Sequence, residues 1–406
     1  MTSNLVILSD PELTEGESKD HTIMERNIKL IGLLNFFTDF VFFAPVAIIY
    51  FQRVTGSYTL GMSVFSVAYA STALFDIPTG ILSDRIGRKL TTLLGALCAI
   101  ICIAFYAIGT SYLILLIGGL IQGLSRAFYS GNNDALLRDS LRSLNKEQSY
   151  HIHLGTTSSM FQIALALAAI IGSIMAAVSF SLVVWASVIP QIFAFVVATQ
   201  LTEPPYKSEQ RNDWWHHLKT SAREYKNNHK LVLLTCASMV RFSFGEAAYF
   251  LRSAFVNSLW PLWAVGFSNF LSNIGGALSF YFSGKIIDKY SHRAVLWFEI
   301  ISNRVVNTVA LLFPTVVSPA IMGATSLTYR AGSVAMNSLQ QNEFTPHQRA
   351  TMGSISSLAE NLFFGIVSVA LGFMADRIGP KNTLLIVQVL LLIPLFFYSK
   401  VFKKKI

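Results

Sequence analysis

Charge is scarce in this chain. Asp, Glu, Lys and Arg make up 13% of its 406 residues, against 53% hydrophobic residues, and that charged share is about half of what ordinary soluble domains carry. With a mean hydropathy of +0.51, the composition excludes a water-soluble fold. Cysteine is scarcer still. Cys98, Cys102 and Cys236 all sit in apolar runs with no His or acid at ligand spacing, so they read as buried apolar residues and no metal or cofactor is expected. Nowhere does the chain bring a nucleophile, a metal cluster or paired acids to an accessible place, so an enzyme is not expected either. The net charge of +9 is scattered over short loops and the tail Lys403, Lys404, Lys405. No soluble domain gathers it into a basic face, which excludes nucleic-acid binding.

What is abundant is long apolar sequence. Runs of about 20 residues, enough to cross a hydrocarbon layer as helix, recur from Leu30 to the C-terminus. About twelve fit. The reading is an all-α membrane protein with twelve transmembrane helices in two six-helix bundles. Residues 1–28 form an acidic cytoplasmic tail expected to be disordered, 29–200 the first bundle, 201–230 a cytoplasmic linker, 231–399 the second bundle and 400–406 a basic tail. The linker places Trp215, Leu218, Ala222 and Tyr225 on one face and Lys219, Arg223 and Lys226 towards another, the pattern of a helix lying in the interface. Its His216 and His217 read as a wetted polar face. Of the Lys and Arg residues, roughly 23 fall on the side of the termini and about 4 on the other, which places both termini in the cytoplasm.

Two stretches, Gly80 to Lys89 (GILSDRIGRK) and Gly284 to Arg293 (GKIIDKYSHR), each join a pair of apolar runs. The offset that relates Asp84 to Asp288 also relates Arg126 to Arg330, Asn133 to Asn337 and Asp139 to Glu343. Gln162 stands opposite Glu360, and Phe37-Thr-Asp39 parallels Phe244-Gly-Glu246. Several matches in chain order point to a duplicated half, and duplicated halves in a membrane protein point to a transporter.

At the first of these stretches the chain resembles the major facilitator superfamily, and within it the bacterial multidrug-efflux-like branch. Gly80, Asp84, Arg85, Gly87, Arg88 and Lys89 resemble its G-x-L-a-D-r-x-G-r-[KR] cytoplasmic loop, and the second copy keeps Gly284, Asp288 and Arg293. The resemblance implies a transporter working by alternating access. It implies that Asp84 lies by the start of the eleventh helix, as a latch holding the halves together on the cytoplasmic side. Asp76, ahead of Pro78, joins this set as a gate residue, and Asp134, Arg138 and Asp139 read as a charge cluster beside the gate. Two departures stand out. Gly119 occupies the position where proton-coupled exporters carry an Arg before Gln122-Gly123, and Ile170-Ile-Gly-Ser-Ile-Met replaces the antiporter signature of the fifth helix.

An ionisable side chain near the midplane costs at least about 2.5 kcal/mol on insertion scales, so each one marks function or a buried partner. Asp39 in the first span and Glu246 in the seventh are candidate proton carriers. Arg126 shares its helix face with Tyr129 and Asn133, and Arg330 shares its own with Asn337. The resemblance implies that these helices line a central cavity, with Gln162 and Glu360 as further cavity candidates. Arg241 lies about 140° around its helix from Glu246, so those two are not expected to pair. Glu299 and Asn303 read as an interhelical contact of a peripheral helix. A pair of guanidinium groups at Arg126 and Arg330 suits a carboxylate or phosphate. The expected function is transport of a small amphiphilic or anionic organic solute, as proton-coupled export across the cell inner membrane. Organic-anion uptake and lipid flipping by the same fold are the alternatives. The expected working unit is a monomer in lipid, with solute and proton as its ligands.

Overall fold

The computed structural model describes residues 15–205, 214–344 and 349–403, and the regular elements among them are all helical. Among the described residues, nine segments are long and apolar enough to cross a membrane. Two of these, Leu262–Leu312 and Thr351–Val401, are long enough to cross twice, and the backbone leaves helical geometry at Ser291 in the first and Gly379 in the second. A further crossing is made by α13 (Ser318–Ala324) with α14 (Ser326–Glu343), where Tyr329, Arg330, Ser333 and Asn337 lower the hydropathy. The chain thus accommodates twelve crossings.

The first crossing is not one helix. Helix α1 (Glu15–Asp39) stops at the candidate proton carrier, a 3-10 turn covers Ala44–Val46, and α2 (Ala47–Thr55) completes the passage. Broken helices at membrane depth are tolerated where the freed backbone groups find partners. Here the Gln191 amide donates to the carbonyls of Phe37 and Thr38 at 3.2 and 3.3 Å. Helix α1 also starts upstream of the expected boundary at 29, through the polar residues from Glu15.

Close packing in the first bundle is set by small residues. Helix α3 (Tyr58–Ile86) lies against α5 (Tyr112–Tyr129) because a Cβ at Gly119 would stand 2.8 Å from the Val64 carbonyl oxygen, and one at Gly123 would overlap that of Ala68. After α4 (Arg88–Ile108), the fourth crossing ends at Tyr129, and the chain turns through Gly131 at φ 66° into α6 (Asn132–Ser143). Helices α7 (Tyr150–Val178), α8 (Phe180–Ala186) and α9 (Val188–Gln200) complete the bundle.

The linker contributes α10 (Trp214–Asn227). Its Tyr225 is buried, with the hydroxyl hydrogen-bonded to Thr235 and, at 2.7 Å, to Ser356. That ties the linker to the second bundle, formed by α11 (His229–Leu259), α12 (Leu262–Leu312), α13, α14, α15 (Arg349–Leu390) and α16 (Ile393–Val401). The side chains of His216 and His217, like those of Trp215 and Leu218, lie outside the described residues.

Candidate functional site

A cavity of about 340 Å³ opens between the bundles, lined by Asp39 and Arg126 from the first and by Glu246 and Arg330 from the second. These are four of the residues expected there, and the volume is within the range of small-molecule sites. Arg126 is exposed on the same cavity wall that Asp39 and Glu246 line. Tyr69 of α3 links the two sides. Its ring lies 5.2 Å from the Arg126 guanidinium carbon, and its hydroxyl donates to Glu246 Oε1 at 3.0 Å.

Five expected lining residues lie elsewhere. Tyr129 packs against Gly95, and Asn133 donates to Asn35 at 3.3 Å. The reason is the turn at Gly131: a continuous helix would keep Asn133 in line with Arg126, but α5 has already ended. Glu360 accepts a hydrogen bond from Ser238 inside the second bundle. Gln162 is half-buried on α7, and Asn337, seven residues beyond Arg330, is exposed.

Arg241 pairs with Glu299 at 3.3 Å, not with Glu246. It also donates to Ser333 at 3.0 Å and to the Tyr329 carbonyl at 2.7 Å. Asn303 donates to the other Glu299 oxygen at 3.0 Å. Glu299 is thus an interhelical contact, as expected. It nevertheless stands on the cavity wall with Asn303 and Arg304, so the ninth crossing is not merely peripheral.

On the side of the termini, Asp84 pairs with Arg88 of its own loop at 2.9 Å. Arg88 approaches Asp139 at 3.7 Å and donates to Ser83 at 2.8 Å. The backbone N–H groups of Arg88 and Lys89 donate to the two Glu203 carboxylate oxygens at 2.6 and 2.7 Å, so an acid caps the start of α4. Gly87 is required twice over: its φ is 96°, and a Cβ would stand 2.9 Å from the Glu203 carboxylate. Arg85 is exposed, as are Gly284, Asp288 and Arg293 of the second copy. Asp76 is half-buried and lends its carbonyl to Thr79 at 3.1 Å.

The opposite side is closed. Ser66 donates to the Gly365 carbonyl at 2.8 Å, Asn269 to that of Pro45 at 3.4 Å, and Phe65 stacks on Phe250 at 4.0 Å. Among the described residues, the hydrogen bonds that join the two bundles all lie in the half of the molecule away from the termini or at the cavity's edge.

The family model of the Major Facilitator Superfamily matches residues 30–367. The chain belongs to that superfamily. Solved structures agree with the fold. A crystal structure of a point mutant of the nucleoside transporter NupG aligns at TM-score 0.82 and 13% identity over 94% of this chain and 100% of that one. A bacterial homolog of the human lysosomal transporter Spinster, inward-facing and unoccupied, aligns at 0.77 and 15% over 94% and 97%. A POT family transporter in complex with 5-aminolevulinic acid aligns at 0.71 and 15% over 93% and 97%. No curated protein matches the sequence.

Within this superfamily member, sequence reasoning passed over Tyr69 and Arg252. Arg252 lies within α11, which runs on to Leu259. The signal that was there is the rarity of a guanidinium within an apolar run.

Proposed function

We propose that this chain moves a small organic solute across a membrane by alternating access, as proton-coupled export, with Asp39 and Glu246 as the proton carriers. The carrying observation is the cavity between the bundles, walled by those two acids and Arg126 and closed on one side. A carboxylate that takes a proton changes the field on a guanidinium lining the same cavity. Binding and proton uptake then bias the two conformations unequally, which is what coupling requires. Tyr69 is the connecting element, because it touches Arg126 of one bundle and Glu246 of the other. Rocking of the bundles breaks or remakes that link. The Asp84 loop is the contact that forms on the side of the termini when the cavity opens the other way.

In proteoliposomes with an imposed pH gradient, wild-type protein should extrude one or more members of a panel of organic cations, anions and neutral aromatics faster than without the gradient. Asp39→Asn and Glu246→Gln should retain solute exchange while losing the gradient's acceleration. Normal gradient dependence in both variants would remove the proton carriers from the account. Gradient-driven accumulation in place of extrusion would reverse the direction.

A further inference from the structure

The cavity's charges do not balance. Five guanidinium groups line it, those of Arg126, Arg241, Arg252, Arg304 and Arg330, against the three carboxylates of Asp39, Glu246 and Glu299. Glu299 is taken by Arg241. Among the described residues, no carboxylate pairs with Arg252, Arg304 or Arg330. Arg252 donates instead to Ser272 at 2.7 Å, to the Met322 carbonyl at 3.3 Å and to Asn269 at 3.4 Å. Arg330 lies beside the rings of Tyr329 and Phe280. Arg304 has a buried Nε and Nη1 with no partner at all. An unpaired buried guanidinium is expensive in a membrane, and the fork geometry suits carboxylate and phosphate oxygens. We infer that Arg252, Arg304 and Arg330 form the subsite for a small organic dianion, a phosphate monoester or a dicarboxylate, whose charge matches the surplus. Tyr249 and Phe250 on the same wall take its apolar body. The inference rests on the transport reading and names its solute class.

Calorimetry on the full chain in nanodiscs tests this with naphthyl phosphate and phthalate against the neutral naphthol and phthalamide. The dianions should bind at least about tenfold tighter, and Arg304→Gln and Arg252→Gln should each weaken them by about tenfold. Arg304→Lys, which keeps the charge but not the fork, should fall between and serves as the folding control. Equal affinity for the neutral compounds, unchanged binding by the Gln variants, or no binding of either dianion would overturn the subsite. Dianion binding without flux in proteoliposomes would leave the subsite standing and remove the transport reading. Gradient-driven flux without dianion binding would do the reverse.

A second inference stands on different residues. Gly372 to Lys381 reads GFMADRIGPK, beside GILSDRIGRK at Gly80 to Lys89. The backbone repeats with the letters: Gly87 has φ 96°, ψ 161°, Ser291 has φ 70°, ψ 154°, and Gly379 has φ 81°, ψ 158°. Each stands three residues after the Asp of its copy. Asp376 reaches across to the other bundle. Its Oδ1 accepts from the backbone N–H of Tyr58 at 2.6 Å, and its Oδ2 accepts from the backbone N–H of Thr59 at 2.9 Å and from the Ser57 and Thr59 hydroxyls at 2.6 Å. An acid thus sits on the positive end of α3. A Cβ at Gly372 would meet the Tyr58 carbonyl at 2.7 Å, whereas Gly80 faces open space. We infer that the third copy is a latch on the side away from the termini, engaged here, and that Asp84 is its released counterpart on the other side.

The test is labelling of a single Ser66→Cys, in a background lacking Cys98, Cys102 and Cys236, by a membrane-impermeant maleimide added opposite the termini. Asp376→Asn should speed labelling about tenfold, as should Gly372→Ala, which wedges the same contact without touching a charge. Asp84→Asn should slow it. Unchanged rates in both Asp376→Asn and Gly372→Ala, or acceleration by Asp84→Asn, would overturn the latch.

Discussion

Glu299→Ala should destabilise the protein by about 3 to 5 kcal/mol, because it leaves the Arg241 guanidinium buried without its carboxylate. Arg241 is 7% exposed and Glu299 2%, so little water reaches the pair to replace the lost partner. The surrounding helices are built around the pair. Gly332 is small because a Cβ there would stand 2.7 Å from Glu299 Oε2, and Asn303 holds the remaining oxygen. Replacing both partners together by Met should recover most of the loss, since a packed apolar pair needs no desolvated charge. Unfolding of the solubilised protein by titration with a denaturing detergent measures both. A shift below about 1 kcal/mol for Glu299→Ala would mean that the pair is solvated and contributes as a surface ion pair does.

Gly266→Val should cut transport to less than about a tenth while leaving the fold intact, because overpacking a tight contact costs about 1 to 3 kcal/mol and here the strain falls on one conformation only. Helix α12 of the second bundle crosses α7 of the first at this glycine, where a Cβ would overlap the Ala169 carbonyl oxygen and crowd Ser173. The contact belongs to the closed side, so the variant should favour the conformation in which that side is parted. Flux of the solute identified in the gradient assay, with the melting profile as control, reads the outcome. Undiminished flux would show that α7 and α12 keep this contact throughout the cycle.

Much of the fold was legible in the sequence because lipid leaves so few choices. Apolar runs of membrane length fix the crossings, and the matches relating Asp84 to Asp288 and Arg126 to Arg330 expose the duplication. Four mid-span charges, Asp39, Arg126, Glu246 and Arg330, stood out by their cost, the resemblance implied a cavity between their helices, and the cavity gathers all four. Periodicity carried further than the backbone did. It kept Asn133 in line with Arg126 past a turn at Gly131 that no pattern of apolar residues marks. It could not show that the first crossing breaks at Asp39, where Gln191 of a distant helix makes the break tolerable. The Asp376 loop was readable as a third copy, but it does not stand half a chain from Asp84, the spacing that relates the two halves. Pairing is the property that only three dimensions supply. Glu299 belongs to Arg241, and that leaves Arg304 unpartnered.

Double electron–electron resonance with spin labels in two pairs tests alternating access around one cavity most directly. One pair, Gly56→Cys with Lys381→Cys, reports the side away from the termini; the other, Glu147→Cys with Lys226→Cys, reports the side of the termini. Two populations should appear, with the first distance lengthening as the second shortens when pH is changed or solute is added. Distances that stay fixed, or that change together in the same sense, would contradict two bundles rocking about a common site.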